Sequence, residues 1–136
     1  EILISQFEIM AHQWKRGLKF LEGAIEVTEE EASKKILEED LNLAKAAYLH
    51  FQSVGQQGRF IMARDRWLES QKTDNVIKDQ VREILEQEKQ TAIAMLEVAS
   101  KDSRIGFEAS NQYYYVPQDL LEKVINCQYL MDKINK

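Results

Sequence analysis

The chain has 136 residues, 23 acidic and 18 basic, for a formal net charge of -5. That length suits one domain, and 44% hydrophobic with 30% charged residues supplies both a core and a coat, which excludes a disordered chain. A single cysteine, Cys127, excludes an internal disulfide framework and a multi-cysteine zinc site; one Pro and five Gly disfavour a turn-rich sandwich or barrel; the acidic balance argues against a nucleic-acid partner.

The first residue is Glu1 rather than Met, inside the apolar run Ile2-Leu3-Ile4, and Ile134-Asn135-Lys136 falls in mid-pattern. The expectation is a single helical domain over 1–136 cut from a larger protein, so that missing targeting signals say nothing about compartment. No uncharged stretch of roughly 18 residues is present, so no membrane span is expected in this segment.

Residues 2–26 carry Ile2, Phe7, Met10, Ala11, Trp14, Leu18, Leu21 and Ile25 at the three- and four-residue gaps of one helical face. Thr28 followed by Glu31 has the form of a capping box, and Glu29, Glu30 and Glu31 suit the positive end of a helix dipole, so a second helix is predicted to start at 29. It meets no clear stop until about Gln71; unbroken, it would reach ~63 Å at 1.5 Å per residue. Its Leu43–Phe51 stretch is apolar on more than one face and is expected to be buried on several sides. Gly55 and Gly58 offer a kink, but a straight spine for shorter partners is the preferred reading. Thr73 and Asp74 cap a third amphipathic helix over roughly 74–101, with Ile77, Val81, Leu85, Ala92 and Met95 on its stripe. Pro117 suits the first turn of a fourth helix, whose stripe is Leu120, Leu121, Val124, Ile125, Met131 and Ile134. Short links at 27–28 and 72–73 make neighbours antiparallel. The predicted fold is all-α: an up-down four-helix bundle with one very long second helix and an aromatic loop before the last helix.

That loop, 103–116, exceeds the usual length of roughly 2–8 residues for bundle connections and holds Phe107 and the run Tyr113-Tyr114-Tyr115. So aromatic a segment is expected to cover something. Arg104, Phe107, Glu108, Asn111, Tyr113, Tyr114 and Tyr115 are its candidate binding residues, toward the bundle's own end, an adjacent domain, or a glycan on which the rings stack and whose hydroxyls the carboxylate grips. A catalytic role is disfavoured, because glycoside hydrolysis needs two carboxylates at a set separation across the scissile bond.

Elsewhere the chemistry is sparse. A di-iron bundle needs two Glu-x-x-His pairs and two more Glu, whereas the only histidines are His12, with Glu8 four residues before it, and His50, with no acid at either spacing. No metal or other cofactor is expected. Cys127 lies near an apolar stripe without a neighbouring His, and Gly55-x-x-Gly58 lacks the strand a phosphate-binding loop needs. The acidic run Glu26–Asp40 is read as a solvated helix face. One polar cluster stands out: Gln56 and Arg59 at the centre of the long helix, beside Gln52 and Gln57, and Glu88 on the apolar stripe of the third. If they face inward they are expected to form an interhelical polar clamp that fixes register, with Glu88 opposite Arg59 or the glutamines; a ligand-binding cluster is the alternative.

The stretch from Asp102-Ser103-Arg104-Ile105-Gly106-Phe107-Glu108-Ala109-Ser110-Asn111 through Tyr113–Tyr115 and Pro117 to Leu120-Leu121-Glu122-Lys123-Val124-Ile125-Asn126-Cys127 resembles the C-terminal helical region of secreted, glycoside-hydrolase-like proteins of polysaccharide-degrading bacteria. Phe60-Ile61-Met62-Ala63-Arg64-Asp65 is similar to the same region, so the likeness covers roughly 44–136. In those proteins the helices follow a catalytic barrel. The resemblance implies an extracytoplasmic parent (periplasmic, cell-surface or secreted), with this chain as a non-catalytic accessory domain buttressing a covalently linked catalytic domain, and with carbohydrate as a possible partner. It carries over no catalytic residue. The competing expectation is a helical protein–protein interaction module without a carbohydrate role.

Overall fold

The structure, a computed structural model, describes residues 1–106 and 116–135. They form four helices and, among the described residues, no strand: α1 (Ile2–Val27), α2 (Glu31–Glu69), α3 (Asn75–Ala99) and α4 (Pro117–Ile134). None of these helices is long and apolar enough to cross a membrane. The all-α fold, the up-down order and the long second helix are as the apolar spacing predicts.

The boundaries show where local chemistry overrides pattern. The predicted capping box at Thr28 does not form: Thr28 closes α1 instead, its Oγ1 donating to the Ala24 carbonyl at 2.7 Å. A hydroxyl donor satisfies one of the carbonyls a helix end leaves open. α2 therefore starts two residues later than predicted, with Glu30 at its N-cap and Ser33 Oγ donating to Glu30 Oε2 at 2.6 Å. At the other end no glycine is available, and Gln71 and Lys72 take left-handed φ of 55° and 64°. Lys72 N–H then reaches the Trp67 carbonyl and Gln71 N–H that of Leu68, the two bonds of a Schellman motif, so α2 stops at Glu69. Asp74 caps α3 as predicted, accepting from the N–H groups of Val76 and Ile77.

α2 runs unbroken through its 39 residues, about 58 Å at 1.5 Å per residue. Gly55 and Gly58 are not hinges but the places where α1 comes close. A Cβ at Gly58 would lie 2.6 Å from Ile4 Cγ1, and one at Gly55 would lie 3.4 Å from Glu8 Cγ.

Each helix packs on its neighbour in sequence: α1 on α2, α2 on α3, and α3 on α4. α1 lines one side of the spine, with Phe7 and Trp14 tilted against Phe51 at ring separations of 6.2 and 6.1 Å. On another side, α2 and α3 share two apolar clusters with α4. One joins Ala46, Leu49, Met95, Val98, Ala99 and Leu120; the other joins Ala63, Val81, Leu85, Cys127 and Met131. Met95, Leu120 and Val81 are the largest fully buried side chains, each worth about 1.5–3 kcal/mol by burial. Along the spine, the buried polar residues Ser53, Gln56, Glu88 and Thr91 fall between these clusters.

Candidate functional site

Two places in the fold gather chemistry: the polar belt at mid-bundle, and the end where α3 leads into residues 100–106.

The belt contains two of the three clamp residues predicted from sequence. Gln56 and Glu88 are both buried, each 6% exposed. Gln56 Oε1 lies 3.0 Å from Thr91 Oγ1, whose single proton it shares with the Gln87 carbonyl at the same distance. Glu88 Oε1 accepts from Ser53 Oγ at 2.6 Å and forms an ion pair with Lys123 of α4. Ser53 Oγ in turn accepts from Lys123 Nζ and Gln57 Nε2, each at 2.9 Å. α2, α3 and α4 thus meet on one hydroxyl.

Arg59 is the correction. It does not reach Glu88; it stands half-exposed on the α1 side of the spine and pairs with Glu8. Three residues make 300° of helical turn, so Gln56 and Arg59 lie about 60° apart, enough for one to face α3 and the other α1. The sequence reading missed Lys123 and Ser53. Lys123 lies three residues after Leu120 and four before Cys127, both buried, so its spacing already placed a cation on the inner face of α4.

A hydroxyl held between an ammonium and a carboxylate invites comparison with an activated nucleophile. Ser53 is 2% exposed and its oxygen is already met by three partners, so no substrate atom can approach it. The belt is built to join helices. Cys127 beside it is buried, and desolvation followed by the Glu88 charge raises its thiol above the ordinary value, away from the reactive thiolate.

At the bundle end, Ile105 packs against the first apolar cluster and anchors the start of the loop. Asp102 clamps Arg104: its carboxylate accepts from the Arg104 backbone N–H at 2.9 Å and from the guanidinium at 2.6–3.0 Å, which holds the carboxyl down at about 2. Arg104, Ile105 and Gly106 form one wall of an apolar cleft of about 510 Å³, with Trp14, Leu43, Ala47 and Phe51 among the others. His50 lies in the same cleft, edge-on to Phe51 at 5.6 Å; burial, then the charge of Lys123, lowers its pKa from 6.5. Of the candidate loop residues, the described part contains Arg104; Phe107, Glu108, Asn111, Tyr113, Tyr114 and Tyr115 lie outside the described residues.

Among the described residues, no three His, Cys, Asp or Glu side chains are grouped to hold a metal ion. His12 stands exposed on α1, whereas His50 is partly buried on α2, and the two lie in separate clefts. The chain matches no protein-family model, no curated protein and no solved structure.

Proposed function

We propose that this chain is a non-catalytic helical accessory domain that buttresses a glycosidase-like catalytic domain within an extracytoplasmic, carbohydrate-degrading protein. The observation that supports it is the apolar cleft at the bundle end, which is continuous with the start of the aromatic loop. From that cleft an apolar stripe extends along α2. Ile36, Leu43, Ile61 and Leu68 are 48–61% exposed, and their spacings of seven, eighteen and seven residues return them to one helix face. Exposed large apolar side chains aligned over such a length mark a surface that is covered by a neighbour. The polar belt supplies the complementary property of a buttress, tying three helices together at mid-height. Carbohydrate enters this reading through the linked domain.

The test uses the full-length protein that carries this chain. Backbone amides around Leu43, Ala47 and Ile61 should exchange more slowly there than in the isolated 136-residue chain. Equal exchange in both would end the interdomain reading. Binding of the isolated chain to a broad glycan panel, abolished by Tyr114→Ala or Glu108→Ala, would instead assign sugar recognition to the loop. The seven-residue repeats on α2 also favour a second reading, in which the chain is an interaction module for a partner helix; that reading expects the stripe to stay unprotected in the full-length protein and to become protected on adding the partner.

A further inference from the structure

A second cleft, of about 390 Å³, opens between α2, α3 and α4 beside the polar belt. Its walls include Phe60 from α2, Ile84 and Leu85 from α3, and Leu130 from α4. Among the described residues its charged lining is one-sided: the acids Glu88, Asp119 and Glu122 stand with one base, Lys123, beside neutral groups that include the amides of Gln57 and Asn126. That is three negative charges against one positive, and the positive one is already paired with Glu88.

The deepest of these acids is incompletely bonded. Glu88 is 6% exposed; its Oε1 holds Ser53 and Lys123, while its Oε2 is buried with no hydrogen-bond partner among the described residues. A buried carboxylate oxygen left without a donor is costly, and natural structures rarely keep one. Asp119 and Glu122 are exposed at the cleft's margin, one turn apart on α4, so they add negative potential where a ligand would enter. A cleft of a few hundred cubic ångströms with apolar walls and a few convergent polar groups is the usual form of a small-molecule site, and the gap between bundle helices is a usual place for one.

From these features we infer that the cleft between α2, α3 and α4 binds a small organic monoamine. Its ammonium group sits among Glu88, Asp119 and Glu122 and supplies a donor to Glu88, and its hydrocarbon part lies against Phe60, Ile84 and Leu130. The sign of the charge excludes carboxylate ligands, and the apolar walls select an amine that carries a hydrophobic group over a bare ammonium ion. This site is separate from the bundle-end cleft and does not depend on the buttress reading.

The experiment is a titration of the whole chain, followed by amide NMR, with three ligands of one shape: phenethylamine, its neutral counterpart phenethyl alcohol, and the anion phenylacetate. Phenethylamine should shift the side-chain amide signals of Gln57 and Asn126 saturably, with a Kd on the order of 1 mM, and the alcohol and the anion should bind at least about tenfold more weakly. The double variant Asp119→Asn/Glu122→Gln changes only exposed positions and keeps the belt intact; it should weaken the amine by about tenfold while leaving the alcohol unchanged. No saturable shift with the amine would overturn the proposal. So would equal binding of amine and anion, or an amine affinity indifferent to the double variant.

Discussion

Replacing Lys123 by Met removes one member of the belt's ion pair and strands the other. The two partners are not equally placed to recover: the side chain of Lys123 is 26% exposed and that of Glu88 only 7%. A lone ammonium at position 123 can extend toward water along its own stem, whereas a lone Glu88 carboxylate has no such path. Breaking a buried pair costs about 3–5 kcal/mol, and Lys123→Met should lie toward the upper end. Glu88→Met should cost less, about 2–3 kcal/mol, because Lys123 rehydrates and Ser53 keeps the Gln57 donor. The double variant Glu88→Met/Lys123→Met removes both charges and fills the space with thioether side chains, so it should return to within about 1 kcal/mol of the parent. Urea denaturation of the four proteins closes the cycle and gives the coupling directly. Single variants indistinguishable from the parent, or a double variant as unstable as the sum of the singles, would refute the account of the belt as a coupled buried pair.

Glycine substitutions should separate contact from propensity. Gly17→Ala and Gly23→Ala meet nothing within 4 Å and should each stabilise the chain by up to about 1 kcal/mol, whereas Gly58→Ala drives a methyl into Ile4 and should destabilise it by about 1 kcal/mol net, all read as melting temperatures. A stabilising Gly58→Ala would mean that α1 is free to move away from α2. His50 has a lowered pKa in the fold, so on acidification below 6.5 the unfolded chain takes up the proton first and stability falls. His50→Gln should flatten the stability profile just below pH 6.5, and a profile unchanged by the substitution would show that His50 does not supply that slope.

The helices were legible because their apolar residues recur at three and four positions, a signal summed over many residues that no single side chain can spoil. What escaped was set by one or two groups each. Thr28 could cap forward or close backward, and the nearby Ala24 carbonyl decided it. The end of α2 had no glycine to announce it, yet Gln71 and Lys72 adopt the left-handed turn all the same. In the belt, Gln56 and Glu88 could be placed inward by spacing, but the cation that meets Glu88 is Lys123 and not Arg59, because the partner of a buried charge depends on which face of a neighbouring helix arrives, and that is a tertiary fact. The bundle-end cleft draws walls from Trp14, Leu43, Met95 and Ile105, residues far apart in sequence and individually ordinary.

The order in which the helices touch has a kinetic meaning. Because α1 meets α2, α2 meets α3 and α3 meets α4, with no backbone contact between α1 and α4, the chain can assemble by closing one helical hairpin after another. Each closure extends contacts already made near a turn, so the entropy of bringing distant segments together is met in small steps rather than at once. The same arrangement leaves α1 joined to the rest through a single face of α2, while α2, α3 and α4 share a belt and two clusters. Opening should therefore begin at α1, as a partial event well below the global unfolding free energy.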